Sequence, residues 1–144
     1  MAYLHIIIMY NKNDNDMITI KNKIIPFKGC KAMTIWPFLF VRSEYMTERD
    51  VRHEEIHGRQ QVEMLPIAGV LCAVLLMIGC GWWSLLALPL YLWVYVVLYL
   101  VAKLKGADNA YRANSLEREA YMFEGDSTYL DRRRPFAWVT YFKL

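Results

Sequence analysis

From Met64 to Ala102 the chain runs for 39 residues without a charge, and all of its Asp, Glu, Lys and Arg lie on either side of that block. As one helix at 1.5 Å per residue the block would be about twice the 30 Å hydrocarbon thickness of a bilayer. Gly79-Cys80-Gly81-Trp82-Trp83-Ser84 interrupts it with turn formers and interfacial tryptophans. The pattern predicts a transmembrane helical hairpin with spans at about 64–80 and 85–102. A buried helical hairpin in a soluble core is the alternative.

Upstream the pattern is short and β-branched. Met17–Ile20 and Lys23–Ile25 read as a hairpin or two edge strands. Ala32–Trp36 and Phe38–Val41 flank Pro37, which cannot donate a ladder hydrogen bond and so implies an edge or bent strand. Thr47-Glu48-Arg49-Asp50 has the form of a capping box, so a helix is expected from there to about Met64, stopped by Pro66. Downstream, Ala107–Glu124 has helical composition, with Asp108 as N-cap and Gly125 as C-cap. The basic run Asp131–Pro135 leads into the aromatic stretch Phe136–Phe142, which suits either a segment on an anionic leaflet or a strand or helix packed on the domain. The expected fold is mainly α (α+β): a small N-terminal β-layer, one helix before the hairpin and one after it. Residues 17–144 form a single membrane-embedded domain. Residues 1–16 are a leader or a poorly ordered stretch. Tyr3–Tyr10 is apolar but short, lacks a preceding positive charge and is followed by polar residues, so it does not read as a cleaved signal peptide.

Charge adds orientation. Nine Lys and Arg precede the apolar block, eight follow it, and its central turn has none. The positive-inside rule then puts both termini in the cytoplasm, with the lipid bilayer as partner. A net charge of +3 without a basic, aromatic-studded stripe argues against nucleic acid. Cys30, Cys72 and Cys80 are odd in number, two of them within the apolar block, which favours reduced thiols over a disulfide framework.

The candidate chemistry lies in the helix before the hairpin. His53-Glu54-x-x-His57 is an HExxH pattern. Residues i and i+4 share a helix face, so both imidazoles can reach one metal ion, and Glu54 stands where a general base for hydrolysis is needed. Glu55 reads as a solvated charge or a partner for Arg52 or Arg59. A catalytic zinc usually takes a third protein ligand. The hairpin returns the chain to the face it left, so the helix at 107–124 is the place to look, and it offers Glu117, Glu119 and Glu124. Glu117 and Glu119 point about 200° apart, so both cannot face one ion. Tyr111 and Arg112 are candidates for stabilising an oxyanion, or for a salt bridge or interfacial anchor. His5 has no place in this site.

HExxH, two apolar spans and then Glu117-Arg118-Glu119-Ala120-Tyr121 resembles the layout of the membrane gluzincin zinc metallopeptidases of the HtpX-like group. The resemblance implies a Zn²⁺ ion held by His53, His57 and Glu117, Glu54 as the catalytic base, and a peptide or membrane-protein substrate. Tyr121 stands where that family has an acid that orients a ligand histidine, leaving Glu119, Gln60 or Gln61 to substitute. The chain also resembles small Bacteroidetes membrane proteins that carry His-Glu-x-Ile-His-x-x-Gln and Glu-Arg-Glu-Ala-Tyr, over most of residues 24–144. That second resemblance implies a bacterial inner membrane and no particular activity.

Overall fold

The computed structural model describes residues 17–21, 25, 30–42 and 46–142. The expectations for residues 1–16, including His5, and for Lys23-Ile24 lie outside the described residues. The fold is mainly helical with a small N-terminal sheet.

Three four-residue strands, β1 (Ile18–Lys21), β2 (Ala32–Ile35) and β3 (Phe38–Val41), form a sheet in the order β1-β3-β2. β1 runs parallel to β3, and β2 pairs antiparallel with β3 across a turn at Trp36-Pro37. β2 is thus an edge strand, as Pro37 predicted. Alternation sorts the sheet into two faces. Thr34, Leu39 and Val41 are buried. Ile18, Phe38 and Ile35 line up across the three strands on the other face and are exposed.

Helix α1 (Glu48–Met77) begins at the predicted capping box. Thr47 Oγ1 accepts from the Asp50 N–H, and the Asp50 carboxylate accepts from the Thr47 N–H. The helix does not stop at Pro66 but continues for another 11 residues. Proline removes a single intrahelical hydrogen bond, at a cost of about 3 kcal/mol. Here the ring sits on an exposed face, while Met64, Ala68 and Cys72 are buried on both sides of it along the helix. That packing holds the two halves in line. α1 ends at Gly79, whose φ of +88° suits a residue without a side chain.

A 3₁₀ segment (Gly81–Ala87) turns back onto α1 and is followed by α2 (Leu90–Leu104), bent by 61° from it. By length and composition α1 is able to cross a membrane, and the bent pair passes the same test if taken as one span.

The helix expected at 107–124 is two helices, α3 (Ala110–Ala113) and α4 (Ser115–Phe123). Asn109, not Asp108, caps α3 by accepting from the Arg112 N–H. Asn114 breaks the run. Its extended backbone starts α4, its side-chain oxygen caps the Leu116 N–H, and its amide donates to the Tyr95 carbonyl of α2. Gly125 follows directly on Glu124, which closes α4 as its C-cap. A short α5 (Tyr129–Arg132) and a 3₁₀ segment (Ala137–Tyr141) then pack back on α4, where Tyr141 meets Phe123 edge-on. Tyr141 of the C-terminal stretch thus packs on the domain, while Phe136 and Phe142 are exposed. The core between α1, α4 and α5 is Ile56, Ala120 and Tyr129, with Phe123 stacked flat on Tyr129.

Candidate metal centre

Helical geometry puts His53 and His57 of α1 about 40° apart on the side that meets α4. Glu117, in the first turn of α4, completes a buried group whose ligand atoms all lie within 4.8 Å of one another. His57 Nε2 is 3.1 Å from His53 Nε2, and each lies 3.4 Å from a Glu117 oxygen. Two donor atoms each about 2.05 Å from one tetrahedral zinc lie about 3.3 Å apart. The two imidazole nitrogens are near that spacing, and each faces a different oxygen of the Glu117 carboxylate.

Hydrogen bonding fixes the ring tautomers. His53 Nδ1 is 2.8 Å from Glu124 Oε2, an acceptor, so Nδ1 carries the proton and Nε2 a lone pair. Gln60 donates through its amide nitrogen to the Leu116 carbonyl and to Glu119, which turns its oxygen towards His57 Nδ1, 2.9 Å away. His57 Nε2 is therefore a lone pair as well. With both rings neutral, two imidazole lone pairs and a carboxylate converge; in the metal-free pocket His57 holds the proton they would otherwise lack. Glu117 Oε1 accepts from the Tyr95 hydroxyl at 3.0 Å, while Oε2 is buried without a hydrogen-bond partner. Such a set is stable around a shared proton or a cation. Two imidazoles and one carboxylate are a donor set able to hold a metal ion.

The titration of the metal-free pocket reflects the same convergence. Burial pulls the His57 pKa down, but Glu117, with Glu54 and Gln60 beyond it, outweighs burial and pushes it up to about 9. Burial acts to raise the Glu117 pKa, and His53 and His57 together hold it well below the usual carboxylate range. Burial and then the Glu117 charge push the Tyr111 phenol well above its ordinary value, keeping it protonated beside the site.

The partner of each histidine was only partly visible in the sequence. Gln60, one of the three substitutes considered, bonds His57 Nδ1, with the Tyr91 hydroxyl 3.1 Å from the same nitrogen. Glu124, not a residue near position 121, orients His53. It lies seven residues beyond Glu117, two turns further on nearly the same helix face. Arg49 grips its other oxygen at 2.7 Å, and Arg52 donates to its backbone carbonyl. Tyr121 has a different task. Its ring meets His53 edge-on, 4.7 Å between centroids, with the Arg112 guanidinium over it at 4.8 Å. Arg112 thus serves as a stacking partner of Tyr121.

Glu119 is fully buried and outside the ligand group. It accepts from Gln60, from the Tyr129 hydroxyl and from Arg133, which also pairs with Glu63 of α1. Arg133, the middle of the basic cluster, is therefore an interior residue. A lone carboxylate at Glu119 would need such a partner, and that requirement is the signal that could have identified it.

Glu54 points from α1 to the sheet. Its carboxylate accepts from Thr34 Oγ1 at 2.8 Å, and its backbone carbonyl accepts from the same hydroxyl at 3.1 Å. Gln61 also leaves the metal face. Its amide donates to the Thr34 carbonyl and accepts from the Trp36 N–H, both at 2.8 Å, and so occupies the outer edge of β2. Glu55 is buried, not solvated, and lines a small cavity with Met17, Trp36, Gly58, Arg59, Val62 and Leu130.

Comparison with family models, curated proteins and solved structures finds no match to this chain.

Proposed function

We propose that this chain is a membrane-embedded zinc metallopeptidase of gluzincin type, with His53, His57 and Glu117 as ligands and Glu54 as base. The observation that carries the reading is the convergence of three lone-pair ligands from α1 and α4, with both histidines oriented from behind. A bound zinc ion supplies Lewis acidity, polarising a substrate carbonyl and acidifying a coordinated water to a pKa of about 7. The chain supplies the rest. Glu54 accepts the proton during attack and returns it to the leaving amine, while Thr34 holds the carboxylate in one orientation. Tyr95 and Tyr111 flank Glu117 as protonated phenols able to donate to a developing oxyanion. The outer edge of β2 offers an extended peptide a strand to pair with, once the Gln61 amide is displaced.

The apolar half of α1 enters the membrane, and the 3₁₀ segment with α2 returns as a broken span. Both termini and the metal centre then face the cytoplasm, following the distribution of Lys and Arg.

A non-catalytic reading, in which the same zinc is structural or sensory, draws on the depth of the site. His53, His57 and Glu117 are 9%, 6% and 3% exposed, and the cavity beside Gly58 contains none of them. Catalytic sites keep a ligand position open. Zinc analysis with proteolysis in detergent or nanodiscs separates the readings. For the peptidase, Glu54→Gln keeps stoichiometric zinc and loses cleavage, while His53→Ala loses both. Cleavage that survives in Glu54→Gln refutes the assigned base. Full zinc occupancy without cleavage of casein-type or membrane-protein substrates favours the structural role.

A further inference from the structure

Strand β2 runs alongside α1 in the same direction, and three contacts set the register between them. Lys31 pairs with Asp50 at 3.6 Å, Thr34 bonds Glu54, and Trp36 N–H reaches Gln61. From Asp50 to Gln61 the helix rises about 16 Å. From Lys31 to Trp36 the strand advances about 16 Å. The two elements therefore stay level, and the β2–β3 turn lies beside Gln61. The charge-free run of α1 begins at Met64, about 4–5 Å further along the axis.

The turn end of the sheet is apolar. Ile18, Ile35, Trp36 and Phe38 are 41%, 51%, 39% and 37% exposed, and Ile35 to Val41 carries no charge. The charged residues Lys31 and Arg42 lie at the opposite end of the strands. On α1 the exposed apolar residues Leu65 and Ile67 follow just beyond the level of that turn, at the start of the apolar half of the helix. Helix length points the same way. Met64 to Met77 spans only about 20 Å, less than a 30 Å hydrocarbon layer, so the bilayer boundary is drawn close to the level of Gly58 to Val62. Two charges lie at that level: Glu63, which pairs with Arg133, and the exposed Arg59, whose long apolar stem can carry its guanidinium out to the headgroup layer.

We propose that the turn end of the sheet is a second membrane contact, with Ile18, Ile35, Trp36 and Phe38 seated in the headgroup layer of the leaflet that α1 enters. The inference rests on the membrane reading of α1. Tryptophan with neighbouring aliphatic and aromatic groups suits that layer, where an indole stays partly hydrated. The contact fixes the sheet, and with it Thr34 and Glu54, at a set height above the bilayer, so a substrate segment close to its own membrane exit is the one within reach of the metal.

Nitroxide accessibility of the full chain in phosphatidylcholine/phosphatidylglycerol nanodiscs tests this. In a background with Cys30→Ser, Cys72→Ala and Cys80→Ala, labels are placed through Ile35→Cys and, separately, Phe38→Cys. Val70→Cys on α1 reports the membrane reading and Lys31→Cys the far end of the sheet. The expected result is an oxygen-to-nickel accessibility ratio at 35 and 38 several-fold above that at 31 and below that at 70. If 35 and 38 match 31 while 70 lies in lipid, the sheet contact is overturned and the membrane reading stands. If 70 is also aqueous, the membrane reading falls and takes this one with it. Exclusion of both reagents at 35 and 38 means that protein covers the patch, which also overturns the proposal.

Discussion

Replacing Glu124 tests the metal centre away from its ligands. The carboxylate receives the His53 Nδ1 proton at 2.8 Å and the Arg49 guanidinium at 2.7 Å, and its side chain is 11% exposed. A hydrogen bond to a charged group contributes about 1.5–3 kcal/mol, and a neutral one about half of that. Glu124→Gln keeps an acceptor for His53 but loses the charge, a loss of about 1 kcal/mol and a zinc affinity about fivefold weaker. Glu124→Ala removes the acceptor and leaves a buried imidazole N–H unpaired. The expected loss is about 2–2.7 kcal/mol, or about 30- to 100-fold in affinity, in line with other partners of metal-bound histidines. Arg49 is mostly exposed, so water replaces its partner at little cost. Competition against a chromophoric chelator, in detergent at fixed pH, reads these values directly. Tyr121→Asp is the informative control. If position 121 held the orienting acid, this change would tighten zinc binding. Because Glu124 already occupies His53 Nδ1, no gain is expected. Tighter binding in Tyr121→Asp, or unchanged affinity in Glu124→Ala while His53→Ala loses the metal, refutes the assignment.

Zinc affinity should rise about tenfold per pH unit up to about 9, because the ion displaces the proton that His57 holds in the metal-free pocket; chelator competition at several pH values checks the slope. The same raised pKa makes the metal-free protein most stable below the unfolded histidine value near 6.5, with that stabilisation lost as pH rises through about 9, measurable by denaturant titration of stripped protein. Arg133→Met strands Glu119 and Glu63 without their cation and should cost about 3–5 kcal/mol, seen as a large drop in Tm. Gln61→Ala frees the Thr34 carbonyl and the Trp36 N–H on the outer edge of β2, so a peptide hydroxamate should bind several-fold tighter; weaker binding would show that Gln61 aids rather than occupies that edge.

Much of the centre was legible because it follows from spacing within one helix. Four residues separate His53 from His57, so any helix through them presents both on one side, and the Thr47 cap determined where that helix starts. The β-layer and the edge character of the strand before Pro37 were legible for a similar reason, since period-two alternation and a missing N–H are local properties. Glu117 entered through a family resemblance, with Glu119 and Glu124 as rivals. Helical angles separate Glu117 from Glu119 but leave Glu124 on the same face as Glu117, so spacing alone could not divide ligand from partner.

Tertiary packing decided what local rules could not. Pro66 predicts a stop, but buried contacts on both sides outweigh one lost hydrogen bond, and α1 runs on. A helical composition over 107–124 does not foresee that Asn114 spends its amide on the Tyr95 carbonyl and breaks the run. A triple-arginine cluster reads equally as a surface for anionic lipid or as a segment packed on the domain, and the Arg133 side chain lies inside because the carboxylates of Glu119 and Glu63 pair with it. The sequence by itself determined which side chains share a face of a helix or strand, because backbone geometry sets those angles over a few residues. Which faces meet, and so which of three glutamates closes the triad and which holds a histidine in place, was decided only when α4 docked on α1. Long-range docking answers to desolvation and to the pairing of buried charge, which no local spacing records.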